Sequence, residues 1–504
     1  MNNYKRYLPY IIGLVAFIYL VILAVKEYAF VFISTDSGDF LAASTVWMVA
    51  QTYGYPTYIL LGHFLNWVPI QVDLAAKMTI FLSALPAAIT VAMVYVIVLR
   101  LTNKVPIALV CSLVLLGTAV FLTEATITKG YALLGMFLTL AFWAYISGKK
   151  YITTILLALA TTVHMITLTI IVFWFLADRR WKWWLGKPLI VYCVIAFIPY
   201  LLIPLLMYLD TPRLLAGSFS LLNVVSYFSG TGRAIIGQLS IFEAPSRLLH
   251  ISGIIFMSFG LALIPLFFVK YKPLTRPLGI LLGTILFILW YVATCLDAQT
   301  WTYLSLAAPS IAILIGLGLS RLKREHLVVV GTSAAILIVV NSIFLNAQKL
   351  EEQDPQGMAL FNSLSSLPDK SIVVAEPGPY DLGLFYVMAT GKQLAPIIYP
   401  YLDSWSDPIL KVKTDYRADF GMEGYDTYLS TKFGLNGQST LENVQQSLRE
   451  NRPTYFIPTN GSPLTRCFVL EDKLQQGKPN RILSLTGLEP NTYVKDVTRG
   501  VLGD

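Results

Sequence analysis

The sequence predicts a polytopic α-helical membrane protein, with about eleven transmembrane segments and a C-terminal soluble α/β domain. Three observations predict it. Of 504 residues, 56% are hydrophobic and only 13% charged. Long apolar runs recur from Tyr7 to Leu345, as bilayer-spanning helices require. After Leu345 the chain turns polar and stays polar to Asp504, long enough for a core of its own. The expected division is therefore a membrane domain over 1–346 and a soluble domain over 347–504.

The apolar runs are 8–25, 76–99, 105–122, 131–147, 151–177, 185–208, 248–269, 277–296, 299–320 and 327–345. Each is near the ~20 residues that a span needs. Lys5-Arg6 precedes the first run, but no small-x-small cleavage site follows it, so a retained helix is expected rather than a signal peptide. Before Asn346 there are 22 Lys and Arg, and 16 of them fall in six clusters: Lys5/Arg6, Arg100/Lys104, Lys149/Lys150, Arg179/Arg180/Lys182/Lys187, Lys270/Lys272/Arg276 and Arg321/Lys323/Arg324. Basic loops stay cytoplasmic, so all six are placed inside. Lys149-Lys150 and Arg179-Arg180 flank the single run 151–177. That run must then cross twice or re-enter, and Thr161-Thr162-Val163-His164 at its middle is the polar break such a hairpin needs.

This topology puts the N-terminus inside, the tail outside and the chain in the plasma membrane. It gathers Asp36, Asp39, Asp73, Glu124, Asp210, Glu243 and Asp297 at the outer face, together with His164, Lys129 and Arg233. The cytoplasmic side keeps Asp178 and Glu325. Ionisable groups at membrane depth are costly and mark function by default, so a polar cavity at the outer face is expected. A histidine that simply bonds a neighbouring helix is the plainer reading of His164. The outer loops 26–75 and 209–247 are the two long ones. The second is semi-apolar (Leu214-Leu215, Phe219, Leu221-Leu222, Tyr227-Phe228) and suits an interfacial segment.

Several chemistries find no support. Cys111, Cys193, Cys295 and Cys467 show no CxxC spacing, and His63, His250 and His326 make no metal spacing with His164. No phosphate-binding glycine pattern of a nucleotide-driven engine appears. The bases sit in cytoplasmic loops, and the tail is mildly acidic, so no nucleic-acid partner is expected.

The stretch after the first run reads TDSGDFLAASTVWMVAQTYGYPTYILLG, from Thr35 to Gly62. Asp36 and Asp39 bracket Ser37-Gly38 where the chain leaves the bilayer, and a Gly54-Tyr55-Pro56 turn follows. Asp36 or Ser37 could equally cap a helix. Asp36-Ser37-Gly38-Asp39-Phe40, then Gly54-Tyr55-Pro56 and Leu61-Gly62, resembles the first external loop of the GT-C membrane glycosyltransferases. It is closest to a bacterial branch related to protein O-mannosyltransferases, which typically reads Asp-Ser-Gly-Glu and then His-Pro-Pro-Gly-Tyr-Pro at the same spacing. Tyr131-Ala132-Leu133, opening a helix after an outer loop, and His164 followed by Thr167 are further points of likeness. The likeness covers most of residues 8–200. Three departures stand out. Asp39 replaces the usual Glu, Gln51-Thr52-Tyr53 replaces His-Pro-Pro, and Lys129 replaces a Glu just before Tyr-Ala-Leu. Glu124 lies five residues earlier.

The resemblance implies transfer of a sugar from a polyprenyl-phosphate-linked donor to a hydroxyl acceptor at the outer face. Such an enzyme needs a base for the acceptor proton and cations or N–H groups for the leaving phosphate. Asp36 takes the position of the family's catalytic Asp. Asp39 would orient the acceptor, and the pair Asp36/Asp39 is where a divalent metal could be held; no cofactor is otherwise implied. His164, Glu124, Lys129, Arg233, Tyr55 and Lys77 are the substrate-binding candidates, with Lys129, Arg233 and Lys77 facing phosphate. Two readings of other classes stay open: a transporter or flippase of a lipid-linked sugar, and a non-catalytic polyprenol-sugar binding protein.

In the tail, Ser371–Ala375, Ala395–Tyr399, Thr454–Pro458, Cys467–Leu470 and Thr492–Val497 read as strands. Leu382–Met388 reads as a helix, and so does Leu441–Arg449, with Ser439-Thr440 as its cap. The topology can be checked by cysteine labelling. Lys150→Cys and Lys182→Cys are expected to react from the same, cytoplasmic side; modification from opposite sides would overturn the hairpin.

Overall fold

A computed structural model of the chain describes residues 3–24, 35–45, 55–70, 72, 74–209, 244–270, 275–294, 300–352, 364–375, 394–398, 440–457, 468–471 and 483–488. The chain divides into two compact units. One comprises 1–28, 53–202 and 235–351; the other comprises 29–52, 203–234 and 352–504.

The first unit is all helical. Its elements are α1 (Asn3–Ala24), α3 (Pro56–Trp67), α4 (Leu74–Met78), a π-helical turn (Thr79–Ala84) and α5 (Leu85–Thr102). Next come α6 (Val105–Gly117), α7 (Ala119–Ala125), α8 (Tyr131–Ile146), α9 (Lys150–Val163), α10 (Ile166–Asp178), α11 (Trp181–Trp184) and α12 (Lys187–Leu209), whose last residues pass into the second unit. After the second long loop follow α13 (Ala244–Phe259), a 3₁₀ stretch (Gly260–Phe268), α14 (Arg276–Thr294), α15 (Thr300–Leu319) and α16 (Arg324–Glu352). Helix α2 (Thr35–Thr45) belongs to the second unit.

Among the described residues, six helices are long and apolar enough to cross a membrane: Tyr7–Ala24, Leu74–Thr102, Ala244–Phe268, Arg276–Thr294, Thr300–Leu319 and Arg324–Leu345. Four shorter apolar helices, Tyr131–Ile146, Lys150–Val163, Ile166–Asp178 and Lys187–Leu202, accompany them. The protein is a multi-pass membrane protein. Helix α15 forms its centre, since 94% of its apolar window is buried, whereas α1 and α16 are mostly uncovered and suit a lipid environment. Close approach is built in at Gly318, where a Cβ would lie 1.9 Å from the carbonyl oxygen of Pro265 in the 3₁₀ stretch. Small residues let membrane helices meet this tightly.

Two apolar runs are interrupted. The run 151–177 breaks at His164-Met165, where its polar centre predicts a break, into α9 and α10. The run 105–122 reads as one straight span, but the structure bends it by 68° between α6 and α7. Thr118 takes an extended conformation there and frees the carbonyl of Gly117, which then accepts a hydrogen bond from the side-chain amide of Asn341 on α16. A freed carbonyl in a water-poor interior needs such a partner. Its donor lies more than 200 residues away in sequence, which is why the run itself does not announce the bend.

At the end of α10, Asp178 is fully buried and collects three donors. The Tyr145 hydroxyl and Arg180 Nε (2.8 Å) donate to Oδ1, and Trp184 Nε1 (2.8 Å) donates to Oδ2. Burial works against the Arg180 charge. The hydrogen bond to Asp178 and the neighbouring Tyr145 outweigh it and raise the guanidinium above its ordinary pKa. Arg180 also lies over the rings of Tyr145 and Trp183. This node ties α8, α10 and α11 together at one end.

In the second unit the described strands form one five-stranded sheet. They are β1 (Ser371–Ala375), β2 (Leu394–Ile398), β3 (Thr454–Ile457), β4 (Phe468–Glu471) and β5 (Leu483–Leu488), in the order β2-β1-β3-β5-β4. β1 pairs in parallel with β2 and β3, while β5 runs antiparallel to β3 and β4. Helix α17 (Thr440–Arg449) lies on the connection from β2 to β3, both of which run parallel to β1. β5 is a strand the sequence reading does not anticipate. The expected helix Leu382–Met388 and strand Thr492–Val497 lie outside the described residues, as do Asp73, Arg233, Asp297 and most of 209–247.

Removing the acceptor at the centre of the Asp178 node leaves three donors without it. Asp178→Ala is expected to cost about 2 kcal/mol, below the ~3–5 of a fully buried pair because Arg180 retains 36% exposure. A thermal-unfolding shift in detergent measures it.

Candidate active site

The break at His164 builds the first part of the site. The residue is 1% exposed and follows α9 in extended conformation, φ −158°. Its Nδ1 accepts the backbone N–H of Ile166 at 3.0 Å, which covers an open donor at the start of α10. With Nδ1 as acceptor, the neutral ring carries its proton on Nε2. Three tyrosine rings surround it, Tyr55 edge-on at 5.2 Å, Tyr131 at 5.4 Å and Tyr303 perpendicular at 5.9 Å. The Tyr55 and Tyr131 hydroxyls are 3.3 Å apart, and Tyr291 packs on Tyr303 at 4.9 Å.

Tyr55 holds its place at a conformational cost. Its φ of 43° and ψ of 44° are left-handed, an uncommon state for a bulky side chain and a disfavoured one before proline. Surrounding contacts over-determine it. Its carbonyl accepts from Ile59 N–H at 3.1 Å, and Gly130 faces its ring so closely that a Cβ there would lie 3.4 Å from Tyr55 Cδ1. The Thr57 and Thr162 hydroxyls, 2.6 Å apart, tie α3 to α9. Strain of this kind collects where a structure must hold a functional geometry.

Glu124, at the far end of the bend, is 2% exposed, and its Oε1 accepts the Thr302 hydroxyl at 2.7 Å. Burial pushes the Tyr58 hydroxyl well above its ordinary pKa, and the nearby Glu124 charge adds to the rise. On α15, Thr302 bonds Glu124 and the next residue, Tyr303, faces the His164 ring.

Lys129 is 7% exposed and sits two residues before Tyr131. The segment before it is strapped to the π-helical turn. Ser83 Oγ shares its proton between the carbonyls of Ile127 (2.6 Å) and Lys129 (3.3 Å), and the Thr79 and Thr128 hydroxyls meet at 2.7 Å. π turns occur preferentially at functional sites. Lys77 is buried and donates from Nζ to the Val68 carbonyl at 2.7 Å.

Asp36 and Asp39 both lie on α2, three residues apart; their side chains, like Arg233, fall outside what the structure describes. Among the described residues no three His, Cys, Asp or Glu side chains gather as metal ligands. The sequence reading misses Thr302, Tyr303, Tyr291 and Tyr58, and it takes 299–320 as a plain span. The polar and aromatic opening of that run, Thr300-Trp301-Thr302-Tyr303, is the signal that marks it.

Residues 36–183 match the sequence profile described as the protein O-mannosyl-transferase TMEM260 N-terminal domain. The structure is similar to the crystal structure of ArnT from Cupriavidus metallidurans bound to undecaprenyl phosphate. The TM-score is 0.65 at 12% sequence identity, over 97% of this chain and 99% of that one. This chain shares the fold of that structure. The profile match spans the Asp36 loop, Tyr131-Ala132-Leu133 and His164, the segments on which the family resemblance is read. No curated protein matches the sequence significantly.

Ser83→Ala tests the strap that positions Lys129. It is expected to cost about 1 kcal/mol, as an interhelical hydroxyl bond does in membrane proteins. Amide exchange in 126–130 should rise while exchange in α8 stays unchanged, measured by hydrogen–deuterium mass spectrometry.

Proposed function

We propose that this chain is a membrane glycosyltransferase of the GT-C type that transfers a sugar from a polyprenyl-phosphate donor to a hydroxyl acceptor at the outer membrane face. One observation carries the reading. The stretch that matches the O-mannosyltransferase profile, 36–183, contains Asp36, Asp39, Tyr55, Glu124, Lys129 and His164. The ring contact of Tyr55 with His164 and the Thr302–Glu124 hydrogen bond support the reading.

The chemistry follows from the residue types. Asp36 removes the acceptor's hydroxyl proton as the oxygen attacks the anomeric carbon, and the bond to the polyprenyl phosphate breaks. The phosphate leaves as an anion and needs positive charge and hydrogen-bond donors in a site of low dielectric. Lys129 supplies the charge and the Nε2–H of His164 a directed donor, with Arg233 on the second long loop as a further cation. Asp39 orients the acceptor. No step is assigned to a metal.

The same reading supplies a topology. The chain crosses about eleven times. Both flanks of the α9–α10 pair are cytoplasmic, and residues 347–504 form an α/β domain on the outer side. The clustering of bases in alternate loops supports this arrangement.

Purified protein incubated with labelled polyprenyl-phosphate hexoses tests the function. Asp36→Asn is expected to lower transfer more than about a hundredfold without a change in melting temperature, since loss of a general base typically costs 10²–10⁴. Lys129→Ala is expected to weaken donor binding about tenfold to a hundredfold, the worth of one charge-assisted contact. Sustained turnover by Asp36→Asn would remove it as the base. Donor binding without any transfer by the wild type would identify a binding protein instead.

A further inference from the structure

At the end of α10 farthest from His164, three arginines meet one buried carboxylate. The helix begins two residues after His164 and runs 13 residues to Asp178, so its ends lie about 20 Å apart. Arg180 donates from Nε to Asp178 Oδ1 at 2.8 Å, and Arg276, the first residue of α14, reaches the same oxygen at 4.0 Å. Arg179 follows Asp178 directly, is exposed and turns the chain with φ 58°. Among the described residues, Asp178 is the carboxylate that pairs with these arginines.

That carboxylate is already committed. Tyr145 and Arg180 donate to Oδ1 and Trp184 donates to Oδ2. Arg276 stands at the limit of ion-pair contact with its side chain 57% exposed, so its charge is left over. One negative charge faces three positive ones, and the excess needs an anion from outside the chain.

The surroundings say which kind of anion. Leu168, Val172 and Leu176 are exposed and stand four residues apart on one face of α10, leading up to Arg179-Arg180. Beside the arginines sit two tryptophans. Arg180 lies over the Trp183 ring at 5.2 Å, and Trp184 donates its indole N–H to Asp178. Tryptophans in such a place mark headgroup depth in a bilayer. A cationic end, an aromatic collar and an apolar strip match a phosphate above an acyl chain. A free phosphate would use the arginines and leave the strip unexplained.

We propose that Arg179, Arg180 and Arg276 bind the phosphate of an anionic glycerophospholipid, whose acyl chain lies along Leu168, Val172 and Leu176. Arginine suits the task because its planar fork meets phosphate oxygens in pairs, and basic pockets between membrane helices take such headgroups. The Asp178 node is the base of this site, since it holds Arg180 in place. The site is separate from the candidate active site and does not depend on the transferase reading.

The test titrates delipidated full-length protein in non-ionic detergent with phosphatidylglycerol or phosphatidylcholine and counts bound lipid by native mass spectrometry. The wild type is expected to bind phosphatidylglycerol at least about tenfold more tightly, as two or more arginines at an anionic headgroup predict. Arg276→Gln should weaken that binding about fivefold. Arg179→Gln/Arg276→Gln should bring it to the phosphatidylcholine level without a change in melting temperature, because both side chains are exposed and the Arg180–Asp178 pair remains. Arg321→Gln/Lys323→Gln, in another basic loop, should leave it unchanged. Glycerol 3-phosphate, a headgroup without chains, should not displace the lipid at about a hundredfold excess.

Equal affinity for the two lipids overturns the proposal, as does undiminished phosphatidylglycerol binding by the Arg179/Arg276 double variant. An equal loss in Arg321→Gln/Lys323→Gln overturns it in favour of general surface charge. Displacement by glycerol 3-phosphate overturns it in favour of a free-anion site. The lipid comparison and the displacement use wild-type protein alone, so they decide the matter even where a variant is unstable.

Discussion

A polar backbone group inside an apolar body must find a partner, because no water is there to supply one. The arrangement of this protein's first unit follows from that constraint. An unbroken helix satisfies itself; a broken one exposes N–H and C=O groups that only another part of the chain can meet. Its breaks are accordingly each met by a specific side chain. The Gly117 carbonyl receives Asn341, the Ile166 N–H is taken by His164 Nδ1, and the Ile127 and Lys129 carbonyls share the Ser83 hydroxyl. Glu124, Lys129 and His164 lie buried at or near these breaks.

The aromatic surroundings of His164 follow the same logic. A histidine at a helix break could swing freely. Here its Nδ1 is committed to the backbone and its ring is enclosed by Tyr55, Tyr131 and Tyr303. Tyr55 reaches this position only in a left-handed backbone state. Its neighbours Gly130, Thr57 and Thr162 supply the contacts that stabilise the state. The opposite end of α8 and α10 carries a separate polar node around Asp178. The two helices are thus pinned at both ends, by His164 and Tyr131 at one and by Asp178 and Tyr145 at the other.

The two units divide the chain differently from a simple cut near residue 346. Residues 29–52 and 203–234 group with 352–504. These are the segments that the sequence places in the two long loops, one bearing Asp36 and Asp39 and the other Arg233.

Much of the helical body is legible in the sequence because its signal is local. A run of about 20 apolar residues has one stable state in a bilayer, and the polar break at Thr161–His164 interrupts its own run. The motif Asp36-Ser37-Gly38-Asp39, the pair Tyr131-Ala132 and the isolated His164 can likewise be read as single segments. Other features are decided by tertiary structure alone. Nothing local tells that 105–122 bends, since the bend is stabilised by an amide on α16. Nothing in 299–320 tells that Thr302 meets Glu124 across 178 residues. Nor does Lys77 show in sequence that its ammonium is engaged by the Val68 carbonyl. Sequence determines which segments are buried, because burial is set by the apolarity of each residue and its near neighbours. Which polar groups meet inside is set by the pairing of distant helices, and only the folded chain decides that.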